Sequence, residues 1–118
     1  MEESILISIK KLLGITKDDT DFDTDIIIHI NSVLAVLSQL GVGPIDGYSI
    51  SDQTHKWSDF LNDDKLLNNV KTYVYLRVRL LFDPPSSSAV LEAFNRTINE
   101  FEWRINISAE EKKEGDTR

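Results

Sequence analysis

The stretch LRVRLLFDPPSSSAVLEAF, residues 76–94, decides how this chain is organised. An apolar run stops at two prolines and restarts at once. Proline removes a backbone donor and pushes the residue before it out of the α region, so Asp83-Pro84-Pro85 ends a helix. Ser86, Ser87 or Ser88 can cap the next one. The prolines therefore mark a tight corner between two amphipathic helices, which needs no chemistry to explain it.

Upstream of the corner, a helix is predicted from about residue 64 to residue 82. Its apolar face carries Leu66, Val70, Tyr73, Val74 and Leu81, with Asp63 or Asp64 as N-cap. Downstream, Val90, Phe94, Ile98, Phe101 and Ile105 form the stripe of a helix over about residues 88–106.

Two further helical patterns precede these. Ile5, Ile9, Leu12 and Leu13 recur at helical spacing before a stop at Gly14. From about residue 21 to residue 40, Phe22, Ile26, Ile30, Val33, Leu37 and Leu40 fall on one stripe, ended by Gly41, Gly43 and Pro44. DDTDFDTD, residues 18–25, places five aspartates at the start of that helix, where carboxylates can cap it and favour its dipole. The β-branched run Ile26–Ile28 also suits a strand, but the length and the stops favour helix.

Residues 41–56 form a connection long enough to be functional or mobile. WSDFL, residues 57–61, reads as one helical turn. The end of the chain, residues 108–118, has no apolar periodicity and reads as a flexible polar tail. The expected fold is all-α: a bundle of about four helices over residues 1–107, a long loop between helices two and three, and the tail. The expected core contains Ile9, Leu12, Ile30, Val33, Leu37, Val70, Val74, Leu81, Val90, Phe94, Ile98 and Phe101.

Composition narrows the functional classes. The 118 residues fit one domain with a modest core. There is no cysteine, so disulfides and thiolate metal sites are excluded. The first residues do not read as a signal peptide, and no apolar stretch approaches the ~20 residues of a membrane helix. A cytosolic chain is expected. The net charge of −7 argues against binding nucleic acid through phosphates.

No nucleotide-binding glycine loop and no HExxH pair occurs. His29 and His55, the only histidines, lie far apart in sequence. Glu110, Glu111 and Glu114 stand in the expected tail, a poor place for a metal site. No enzyme, cofactor or metal is expected.

The run TYVYLRVRLLFDPPSSSAVLEAFNRTINEFEWRINI, residues 72–107, resembles the C-terminal half of head–tail connector (adaptor) proteins of long-tailed double-stranded DNA phages. The earlier pieces fit as well: KKLLGI, an acidic entry to the second helix, a GVGP loop and a WSDF turn. The resemblance covers nearly the whole chain.

It implies a structural protein of the virion neck, present in the host cytoplasm during assembly. Such proteins form rings, usually dodecamers in the virion, beneath the portal protein. They extend the DNA channel and dock the tail or its stopper. DNA passes without specific binding, and no membrane is involved. The alternative is a small helical interaction or regulatory subunit with no capsid role.

Several residues bear on this reading. Trp103 lies off its helix's core stripe, and either anchors an interface or packs under the loop or tail of its own chain. Ile28 is similarly off its stripe, as single exposed apolar residues often are. Tyr48 and Ile50 of the long loop could pack on a neighbour. Arg79 suits a solvated or interface charge.

Arg77 falls within an apolar arc and must snorkel or pair. Its expected partner is Glu92 or Glu100, or else a carboxylate of a neighbouring subunit. Asp18, Asp19, Asp21 and Asp23 either face a channel that does not hold DNA or simply cap a solvated helix start.

Overall fold

A computed structural model describes residues 3–116, with side chains for residues 3–110. The described chain consists of helices: α1 (Ile5–Leu12), α2 (Asp23–Gln39), α3 (Trp57–Phe60), α4 (Asp64–Phe82) and α5 (Ser88–Asp116). The fold is all-α, as the periodicities predict, and WSDF is indeed a single helical turn.

The helix ends follow from local chemistry. Ser4 Oγ accepts from Ile7 N at the start of α1. Asp63 Oδ1 accepts from Leu66 N at the start of α4. Ser87 Oγ accepts from Val90 N at the start of α5, 3.4 Å away.

Helices α1 and α2 close with the same motif. Gly14 and Gly41 adopt φ values of 81° and 88°. After α1, Gly14 N donates to Lys11 O and Ile15 N to Lys10 O; after α2, Gly41 N donates to Ser38 O and Val42 N to Leu37 O. These paired bonds satisfy carbonyls that a helix end otherwise leaves open. The aspartates before α2 do not cap it: the N-cap is Phe22, whose side chain cannot accept a bond.

Helix α4 is the centre of the packing. It contacts α2, α5 and α1, while α1 also packs on α2. It buries Leu66, Val70, Tyr73, Val74, Leu76 and Val78. Among its described side chains, helix α5 buries Ile98 and Ile105 fully, with Phe94 and Phe101 half-buried against the core. Three expected core residues, Leu12, Leu81 and Val90, are exposed. Each lies on or beside its helix's apolar arc near a helix end, where no other element arrives to cover it.

Helix α5 also runs ten residues past Asn106, to Asp116. The segment 108–118, expected as tail, thus begins as helix. Ser108, Ala109 and the Glu/Lys run continue the helix through backbone propensity, which needs no apolar stripe. Ala109 also packs against the core.

The 41–56 connection is tied down at several points. The Asn31 amide on α2 makes a two-way bond with one loop residue: Nδ2 donates to Ile50 O at 3.0 Å, and Ile50 N donates to Oδ1 at 2.7 Å. Ile5 N donates to His55 O, and Trp57 N donates to Glu3 O. Together they form an antiparallel bridge between Ser4 and Lys56. The Trp57 indole, itself buried, donates to Ser8 Oγ at 2.8 Å.

Candidate interaction surface

The residues singled out by the sequence fall into two groups: those that hold the chain together, and those that stay outside. Trp103 belongs to the second. It is 64% exposed on α5, so among the described residues neither the loop nor any other part of the chain covers it. Ile28 is also exposed, on α2. Beside Trp103, Arg104 lies over the Phe101 ring and pairs with Glu100, one turn back on the same helix.

Arg77 pairs within its own chain, but with neither Glu92 nor Glu100. Tyr73 OH donates to Glu102 Oε2 at 2.8 Å, and Arg77 NH1 stands 3.0 Å from that hydroxyl and 3.4 Å from the carboxylate. The guanidinium is only half-buried and lies over the Tyr73 ring. The cluster clamps α4 to α5. Burial, reinforced by the bond to Glu102, pushes the Tyr73 hydroxyl up to about 12, against the pull of Arg77.

Arg79 closes the end of α4. Its Nε donates to Asp83 O at 2.8 Å, NH1 donates to Tyr75 OH, and the guanidinium lies over the Phe94 ring.

The acidic stretch divides in the same way. Asp18 and Asp21 are exposed, and Asp19 is half-exposed. Asp23 is not a free acid: its Oδ1 lies 2.8 Å from Nζ of Lys10, as an ion contact rather than an aligned hydrogen bond. The Lys10 side chain is 2% exposed. Its Nζ also donates to Asp19 O at 2.7 Å and Lys17 O at 3.3 Å, so one buried ammonium pins the α1–α2 connection. Sequence reasoning missed Lys10 because one of two adjacent lysines near a helix end reads as a surface charge.

In the long loop, Ile50 is buried in the core and has no surface to offer a partner. Asn31 and the fold of the loop put it there. Tyr48 is half-buried. Its hydroxyl is 2.9 Å from Nδ1 of His55, whose Nε2 is 3.1 Å from Ser51 Oγ. Burial and the nearby charge of Asp59 push the Tyr48 hydroxyl above its ordinary pKa. His29 lies at the edge of the Phe82 ring.

The most exposed apolar residue was not foreseen. Ile45 is 98% exposed, directly after the glycine-proline pair that the sequence marked only as a helix stop. Among the described residues, no group of His, Asp and Glu side chains converges as a metal site, and no helix is long and apolar enough to cross a membrane.

The polar side chains brought together here are clamps and caps between helices, while Trp103, Ile28 and Ile45 are left outside. In comparison with known families, the phage connector protein family matches residues 5–112. The chain belongs to that family, and its role is that of a structural phage connector. No curated protein and no solved structure matches it.

Proposed function

We propose that this protein is the head–tail connector of a long-tailed double-stranded DNA phage. It forms a ring, dodecameric in the virion, beneath the portal protein. It extends the DNA channel and gives the tail or its stopper a docking surface. The observation that carries this reading is the family match across residues 5–112.

The surface is consistent with it. Trp103 and Ile28 are apolar side chains outside the core, on two different helices. Trp103 and the chain beyond residue 107 supply the portal contact; Ile28, Arg79 and the outer edge of Tyr48 supply contacts between subunits. In this arrangement the body is residues 1–107 and residues 108–118 are the extension that engages the portal. Asp18, Asp19 and Asp21, together with the net charge of −7, suit a channel wall that lets phosphates slide past.

The test is sedimentation velocity and native mass spectrometry of the protein alone and with the cognate portal. A ring of connector subunits on the portal is expected. A small oligomer of fixed size that ignores the portal would refute the proposal. A mobility shift should show no salt-sensitive binding to random duplex DNA.

A further inference from the structure

Asp46–Gly47 is the one place in the sequence where an aspartate or asparagine precedes glycine. Such a pair has a chemistry of its own. The glycine nitrogen can attack Cγ of the aspartate, because no Cβ obstructs its approach. The N–Cγ bond forms, the nitrogen gives up its proton, and the Cγ hydroxyl leaves with that proton as water. The product is a five-membered cyclic imide. Water then adds back to either imide carbonyl. Opening at Cγ restores aspartate. Opening at the main-chain carbonyl leaves an isoaspartyl linkage, in which the main chain runs through the former side chain. Water is the only co-reactant, and the final mass is unchanged.

The structure leaves this pair in the open. Asp46 is exposed, and among the described residues no hydrogen bond or ion pair holds its carboxylate. Ile45 beside it is 98% exposed, so no neighbour shields the site from water.

The backbone restrains it instead. Gly47 N donates to Pro44 O at 2.9 Å, closing a turn over residues 44–47. No described residue other than glycine has a positive φ, and no peptide bond is cis. A closed turn with Ile45 and Asp46 at its centre is then of type I, with glycine in its favoured fourth position. That turn holds ψ of Asp46 at about 0°. Gly47 N therefore eclipses the nitrogen of Asp46 and stands well away from its Cβ around the Cα–C bond. Ring closure needs the nitrogen and Cβ on the same side. The N–H that must be lost is also engaged with Pro44 O. The loop is fixed on both flanks: Gly43 lies so near the Phe60 ring that a Cβ would fall 2.5 Å from it, and Tyr48 OH is 2.9 Å from His55 Nδ1.

We propose that Asp46–Gly47 is a site of spontaneous isomerisation through the cyclic imide, and that the closed 44–47 turn keeps it unreactive in the folded chain. Opening the turn releases the reaction. The isoaspartyl linkage adds a carbon to the main chain between Gly43 and Tyr48, so the turn cannot close again as before. The loop thus keeps a covalent record of time spent open. The inference is independent of the connector reading.

The test incubates the full chain at neutral pH, folded in buffer and unfolded in guanidinium chloride. Peptide mapping with electron-transfer fragmentation distinguishes the two linkages of equal mass. Isoaspartate at residue 46 is expected to accumulate in the unfolded chain. In the folded chain it should form at least about fivefold more slowly, the factor for one hydrogen bond that must first open. Asp46→Glu should abolish the product in both, because glutamate must close a larger ring, and should leave the thermal midpoint unchanged. Amide exchange by NMR reads the closing bond directly: Gly47 N–H should be protected in the folded chain. Absence of isoaspartate at residue 46 in the unfolded chain would overturn the site. Equal rates folded and unfolded, or an unprotected Gly47 amide, would overturn the role given to the turn.

Discussion

Lys10→Met removes the ammonium and keeps most of the stem. Three partners lose the cation they contact: Asp23 Oδ1 at 2.8 Å, Asp19 O at 2.7 Å and Lys17 O at 3.3 Å. Stranding one member of a buried ion pair costs about 3–5 kcal/mol. Three features reduce that figure. The Asp23 side chain is 26% exposed and regains some water. The two carbonyls belong to a connection with exposed neighbours, so each lost bond counts for about 1 kcal/mol at most. Methionine also avoids the desolvation of a buried ammonium.

The expected net loss is about 2–3 kcal/mol, or a fall of roughly 10 °C in Tm for a chain of this size. Urea unfolding followed by circular dichroism should show a lower midpoint with an unchanged m-value. A double-mutant cycle with Asp23→Asn should give a coupling of about 0.5–3 kcal/mol. If Lys10→Met is as stable as the parent, or the coupling is zero, the idea that this ammonium pins the α1–α2 connection is wrong.

Gly43→Ala should cost about 2–4 kcal/mol, since it combines a left-handed backbone with a contact into the Phe60 ring. Gly14→Ala, also left-handed but with open space around it, should cost only about 1–2 kcal/mol by the same urea assay. Tyr73 sets an alkaline limit: the unfolded chain loses its phenolic proton near pH 10, while the folded chain keeps it to about 12. Its contribution is therefore complete below pH 10 and is lost as pH rises towards 12, and Tyr73→Phe should remove that part of the decline in a pH series of melts. Trp103→Ala should leave stability within about 0.5 kcal/mol and weaken portal pull-down; if it unfolds the isolated chain, the tryptophan belongs to the core.

Helices α1, α2 and α4 were legible because each carries its own stop. Gly14, Gly41 and the proline pair act locally, and the structure ends the helices there. What periodicity cannot give is the neighbour. Leu81 lies in the apolar arc of α4 and Val90 on the apolar stripe of α5, yet both are exposed, because a stripe says where a side chain points and not whether another element meets it. The length of α5 was missed for the opposite reason: alanine, glutamate and lysine extend a helix without any stripe.

The surface residues were half legible. Trp103 announced itself by standing off its stripe. Its position in an apolar arc says that Arg77 must snorkel or pair, within the chain or across to a neighbour; that the partner is Glu102 depends on the register between α4 and α5, which no local signal encodes. Ile50 looked like an interface residue because the loop was read as open; the bond that closes it comes from Asn31, nineteen residues away in sequence.

The bridge between Ser4 and Lys56 has a consequence for the order of events during folding. Helix α1 has eight residues, too few to persist alone in water, where isolated helices shorter than about 12–15 residues are marginal. Its supports come from far along the chain: the His55 carbonyl, the Trp57 indole and the faces of α2 and α4. Helix α1 should then be among the last elements to be fixed, once the chain beyond residue 57 is in place. Truncating Ile5 or Ile9 should then speed unfolding and leave the folding rate nearly untouched.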